Sequence, residues 1–241
     1  MDGGSNGLGG LSVQVQRVAA PVREQVLEQL RSAIVELRLL PAQRLVEREL
    51  IEQTGVSRTT IREVLRELAA EGLVTTIPNK GTVVASPSLE RAAELYEVRA
   101  VLEGMAARQF VEHASEDHIA QIRRALQTIE ATVDEDPAGP AMLAAKKLFY
   151  DALFEGAAHR TIQEIVEGLQ ARVTVLRRTS LAQPGRSART VAEVRAIVEA
   201  LEARDGERAA AACVHHVNEA ARTVLAAMTN ALGDHEETHN R

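Results

Sequence analysis

Gly55-Val56-Ser57-Arg58-Thr59-Thr60-Ile61-Arg62-Glu63-Val64-Leu65 constrains this chain more than any other stretch: a glycine bend opens a helix that carries two arginines and three hydroxyls before its first acid. Ile61, Val64, Leu65 and Leu68 recur at three- and four-residue intervals, so the spacing predicts a helix over 58–71 with one inward face, ended by Gly72. Upstream, Leu45, Leu50 and Ile51 predict a short helix over 47–54, and Gly55 supplies the bend between two crossed helices. Downstream, β-rich runs at 73–77 and 82–85 flank Pro78-Asn79-Lys80-Gly81, which predicts a hairpin with Lys80 at its tip. Side chains on a helix's first turn project off its end and enter a major groove first, where the forked donor of Arg matches guanine O6 and N7. In this order the elements predict a winged helix-turn-helix.

The runs Leu40-Pro41-Ala42-Gln43-Arg44-Leu45, Arg48-Glu49-Leu50, Gly55 through Glu63, Glu71-Gly72-Leu73-Val74 and Pro78-Asn79-Lys80-Gly81 closely resemble the DNA-binding domain of GntR-family bacterial transcription regulators. That resemblance implies DNA contacts from an arginine of the second helix, from the residues opening the third, and from the wing tip. On this sequence they fall at Arg48, Ser57, Arg58, Thr59, Thr60, Arg62, Lys80 and Gly81. The chemistry agrees: arginines reach bases or phosphates, hydroxyls and helix N-terminal amides suit phosphate oxygens, and glycine permits close approach in a minor groove.

A formal net charge of −6 does not oppose DNA binding, because the excess acid lies elsewhere. Residues 1–86 hold 10 Lys plus Arg against 10 Asp plus Glu, while residues 87–241 hold 18 against 24. Phosphate attraction acts over roughly a Debye length, about 8 Å at physiological salt, so the acid-free stretch 54–62 can still bind, with strong salt dependence. One cysteine, Cys213, excludes an intramolecular disulfide and fits a reducing, cytoplasmic setting as a small buried residue. No run reaches a membrane span's length, and the glycine-rich start lacks a signal peptide's order. Membrane partners are therefore not expected, and residues 1–15 read as a disordered tail.

Ser86-Pro87-Ser88 reads as a short linker closing a DNA-binding domain over 16–86. Beyond it, apolar periodicity predicts helices over 89–112, 115–133, 141–158, 161–180, 187–203 and 207–232, an all-α antiparallel bundle with a flexible tail at 233–241. Only Tyr96, Phe110, Phe149, Tyr150 and Phe154 are aromatic, so burial rests on Leu, Val, Ile and Ala packed closely. The fold class is mainly α, a winged helix-turn-helix with a small hairpin followed by this bundle.

The segments 95–108 and 191–201 resemble the all-helical FCD effector domain of the FadR subgroup of GntR regulators. Many such domains hold a divalent metal with an Asp, a His one helical turn later and two further histidines. By alignment those positions are Lys146, Tyr150, Val194 and His216 here, so three of four donors are lost and no metal or other cofactor is expected. His113, His118, His159, His235 and His239 fall at helix ends, surfaces or the tail, and His215 and His216 point to different faces. Lys146 is then either a solvated lysine beside Lys147, a lysine paired with an internal acid, or a fixed positive centre that replaces the metal. In the last case Lys146, Tyr150 and His216, with Arg99, Arg172 and Arg177, hold an anionic effector through charge-assisted hydrogen bonds.

The resemblance implies a homodimer whose two heads read palindromic double-stranded operator DNA, and a small effector that shifts their spacing, more often as a repressor than an activator. A dimeric interaction module without effector binding is the other reading. An enzyme is not expected, since the chain lacks a phosphate-cradling glycine loop, a nucleophile elbow and a convincing Cys and His pairing.

Overall fold

The structure, a computed structural model, describes residues 20–35, 38–85 and 88–239; the expected tail at 1–15, Ser86 and Pro87 of the linker, and residues 240 and 241 lie outside the described residues. Helix α1 (Ala20–Val35) precedes α2 (Glu47–Thr54) and α3 (Arg58–Ala70), and β1 (Val74–Ile77) pairs antiparallel with β2 (Gly81–Val84). Gly55 caps α2 at φ +70°, a left-handed conformation that costs a residue with a Cβ about 1–2 kcal/mol, while its N–H still donates to the Ile51 carbonyl at 2.9 Å. Ser57 then caps α3 by accepting from the Thr60 amide at 3.2 Å. The inward stripe of α3 is Ile61, Val64, Leu65 and Leu68, all buried, against Val26, Leu27, Leu30 and Ile34 of α1. At about 1.5–3 kcal/mol for each fully buried aliphatic side chain, this stripe holds the three helices together. The hairpin keeps Val74, Val83 and Val84 in the core and turns at Asn79, which takes φ +65°.

Six helices follow: α4 (Leu89–His113), α5 (Glu116–Thr132), α6 (Pro140–Ala157), α7 (Arg160–Leu181), α8 (Arg186–Glu202) and α9 (Gly206–His239). Their starts carry local signals. Ser88 caps α4, Ser115 caps α5 in a reciprocal box with His118, and Pro140 opens α6. The last helix passes the predicted end at residue 232 and reaches His239. Helix α4 runs along α9 and also meets α6 and α7. Small residues allow that approach: a Cβ added to Gly104 would sit 3.0 Å from Val214 Cγ2. Phe110 and Phe149 fill the main core, and Tyr96, Leu176, Val217 and Val224 form a second one. Helix α7 joins the two halves of the chain, because its Val175 packs into the core of the first half.

Candidate functional site

Two groups of predicted residues come together at different places. The first is the outer end of α3 with the wing. Ser57, Arg58, Thr59 and Arg62 are exposed and Thr60 half-buried, and no acid occupies the first turn of α3. Arg58 makes no hydrogen bond or ion pair with the described residues, so its guanidinium is free to meet an external partner. Arg62 does not stand in the acid-free environment its neighbours in sequence suggest: Glu47 reaches across from α2 and accepts from its Nε at 3.1 Å with both oxygens. Arg48 is 79% exposed beside Glu52 at 3.6 Å. Lys80 and Gly81 sit exposed on the turn, Gly81 at φ +78°. Arg44, which the sequence argument did not single out, bridges to Val83 and places its Nε 3.9 Å from where a Gly81 Cβ would lie, adding a cation beside the wing.

The second is a buried polar cluster at the centre of the bundle. Lys146 is 1% exposed, which rules out the solvated lysine. It is not paired with an acid either: its Nζ donates to His216 Nε2 at 2.8 Å, and His216 Nδ1 donates to Glu193 Oε2 at 2.5 Å. The carboxylate fixes the imidazole proton on Nδ1 and leaves Nε2 an acceptor. Glu193 also accepts from Arg186 Nη1 and Nη2 at 3.0 and 2.8 Å, a two-point pair. On the opposite side, Arg99 Nε donates to Glu103 at 2.8 Å and its Nη2 to the Tyr150 hydroxyl at 3.2 Å. Arg177 lies over the Tyr150 ring, 4.4 Å from its centroid, and has no hydrogen bond or ion pair with the described residues. Arg172 departs from expectation. Five residues before Arg177 it lies on another face of α7, exposed, against Gly72 and away from the cluster.

Burial sets the electrostatics. It pushes Lys146 well below the ordinary lysine range, with the Arg177 guanidinium adding to the effect. His216 is pushed well below the imidazole range by burial and then by Lys146, so it is neutral. Arg177 is lowered by burial, whereas for Arg99, equally buried, desolvation is the largest single influence but is outweighed by Glu103 together with the neighbouring tyrosines, so it is raised. Tyr150 is raised by burial and keeps its phenolic proton. Arg99, Lys146, Arg177 and Arg186 thus face only two carboxylates, Glu103 and Glu193, and Lys146 and Arg177 are the basic groups left without one. Glu103, Arg186 and Glu193 were missed from the sequence, where each reads as a residue of a solvated helix face.

The donor set does not suit a divalent ion. Lys146 Nζ points at the one remaining imidazole lone pair, and among the described residues no three His, Cys, Asp or Glu side chains converge. The cluster lines a cavity of about 10 Å³, enough for one water, so a larger guest needs its side chains to part. A larger cavity of about 650 Å³ lies between β1, α4 and α7, but its lining is chiefly apolar and its Arg91 is tied to Glu94 at 2.8 Å. Volume favours that groove; converging polar groups favour the cluster, and chemistry decides.

Residues 22–84 match the model of bacterial regulatory proteins of the gntR family, and residues 94–219 match the FCD domain. The chain is 31% identical over 172 residues to the "Probable D-xylose utilization operon transcriptional repressor" of Paenarthrobacter nicotinovorans, covering 71% of this chain and 74% of that one. It is 24% identical over 204 residues to the HTH-type transcriptional repressor RspR of Escherichia coli, covering 85% and 89%. The solved structure of E. coli McbR/YncC shares the fold at a TM-score of 0.70 and 22% identity, over 88% of this chain and 98% of the other. No described helix is long and apolar enough to cross a membrane.

Proposed function

The chain belongs to the GntR family of bacterial regulatory proteins and is a DNA-binding transcriptional regulator, and from that premise we propose a cytoplasmic, homodimeric repressor of the FadR subgroup, released from a palindromic operator by a small anion. Residues 16–86 act as the reading domain and 87–232 as the sensing and dimerising domain. Arg58 and Arg62 read or grip the major groove, Ser57, Thr59 and Thr60 bind phosphates with the α3 amides, Arg48 and Arg44 hold the flanking backbone, and Lys80 with Gly81 enters the minor groove. One such helix covers few base pairs, so two heads on a palindrome supply useful affinity. The relatives named as repressors favour repression over activation. Arg99, Lys146, Tyr150, Arg177 and His216 receive the effector, joined by Arg186.

The observation that carries the reading of DNA is the unpaired Arg58 at a helix end free of acid in its first turn. The test selects bound duplexes from a random pool and measures affinity by fluorescence anisotropy. Palindromic sequences should emerge, binding should fall steeply with salt, and Arg58→Ala should weaken it by about 1–3 kcal/mol. A pool without enrichment, or an Arg58→Ala protein that binds unchanged, would overturn it.

A further inference from the structure

The buried cluster holds four basic side chains, Arg99, Lys146, Arg177 and Arg186, against two carboxylates, and it also holds orphaned donors. Tyr96 Oη and Arg186 Nε are buried with no hydrogen-bond partner among the described residues. Both residues line the same cavity as Lys146, Arg177 and His216. Leaving such groups unmet is unfavourable, and a folded chain keeps that cost at a site where something else meets it. A neutral guest could satisfy the donors but would leave Lys146 and Arg177 without a counter-charge, and a cation would oppose them. A single negative charge would answer Lys146 or Arg177, not both.

Lys146 and Arg177 meet at the Tyr150 ring from different helices. Lys146 Nζ is 5.2 Å and Arg177 Cζ 4.4 Å from the centroid of the Tyr150 ring, while Lys146 is anchored to α9 through His216 and Arg177 is carried by α7. The paired cations Arg99 and Arg186 flank them with their own carboxylates already engaged. We infer that this cluster is built for a small dianion, a molecule presenting two carboxylates or one doubly charged phosphoryl group, with Lys146 and Arg177 as its two counter-charges and Tyr96 Oη and Arg186 Nε as neighbouring donors. The inference rests on the reading of the cluster as the effector site and names the charge class that site takes. Binding restores to Lys146 and Arg177 the negative neighbours that burial denies them.

Isothermal titration of the full-length protein at pH 7 and constant ionic strength tests this with malonate, succinate and inorganic phosphate against acetate and butyrate. The dianions should bind at least about tenfold more tightly than the monoanions, a gap of about 1.4 kcal/mol. Malonate or succinate ahead of phosphate assigns the guest to dicarboxylates, and the reverse order to phosphoryl compounds. Arg177→Gln should abolish the preference by weakening the dianions alone, and Arg177→Lys should retain it, which guards against a simple folding defect. Monoanions binding as tightly as dianions, or a preference that survives Arg177→Gln, would overturn the dianion assignment while leaving an anionic effector intact. No saturable heat with any of the five would overturn the effector reading itself.

Discussion

Replacing Arg177 by Met should stabilise the protein, whereas replacing Glu193 by Gln should destabilise it, although both belong to one buried cluster. Arg177 is 7% exposed and finds no hydrogen bond or ion pair among the described residues. Methionine removes a charge whose desolvation costs several kcal/mol, and it keeps an unbranched apolar stem in the same space. What is lost is the contact of the guanidinium with the Tyr150 ring, worth about 0.5–2 kcal/mol. The balance is a gain of about 1–3 kcal/mol. At about 2–4 °C per kcal/mol for a domain of this size, Tm should rise by roughly 2–12 °C. Glu193→Gln instead strips the counter-charge from Arg186, which is 1% exposed and held by both carboxylate oxygens. Removing one partner of a buried pair costs about 3–5 kcal/mol, so Tm should fall by roughly 6–20 °C. Differential scanning calorimetry without added di- or polyvalent anions reads both. If the two variants lower Tm by similar amounts, surplus charge is not what distinguishes Arg177, and the reasoning fails.

Three further outcomes follow from the same geometry. Glu47→Gln frees Arg62 from its two-point partner and removes a negative charge near the duplex, so DNA affinity should rise severalfold and the salt slope steepen; unchanged anisotropy titrations would place Arg62 outside the interface. His216 lies below its ordinary range when folded, so in the window up to that range the unfolded chain binds more protons and stability rises with pH. Tm should therefore climb as pH rises towards the ordinary imidazole range, about 6.5, and His216→Gln should flatten the climb; equal slopes in calorimetry would count against it. A Cβ at Gly156 would lie 2.3 Å from the Phe110 ring, which is wholly buried, so Gly156→Ala should cost about 1–3 kcal/mol in urea unfolding, and a cost near zero would mean that the ring moves aside.

Legibility in the sequence depended on how local the governing physics is. The helix ends lie within a few residues because glycine bends, serine caps and Pro140 act over one turn, and the hairpin follows from β-branched runs about Pro78-Asn79-Lys80. Helix α1 carries an equally regular stripe at Val26, Leu27, Leu30 and Ile34, but it lies outside the motif that starts at Leu40. Helix α9 runs on through Gly233 to His239, so a lone glycine, the usual sign of a helix end, does not stop it. At the buried site, Lys146, Tyr150 and His216 were reached only through alignment with a metal quartet, and Arg99 and Arg177 by their charge. Arg172 has the right charge at the wrong angle: five residues on a helix turn through about 140° of azimuth beyond a full revolution, so it and Arg177 cannot both face inward. Glu193 and Arg186 were hidden because nothing in sequence tells a carboxylate that neutralises a buried guanidinium from one that faces water; that depends on which helix lies opposite.

Val175 closes the core of the first half of the chain, and Arg177, two positions along the same helix, lies on the Tyr150 ring. The seam between the two halves therefore passes through neighbouring side chains of α7. Biosensor engineering that swaps DNA-reading modules between homologous regulators would, on this chain, leave a valine-shaped gap or a collision unless α7 travelled with the transplanted piece. The smallest interchangeable part is larger than either sequence-matched segment, and successful chimeras should carry their crossover away from residues 172–177.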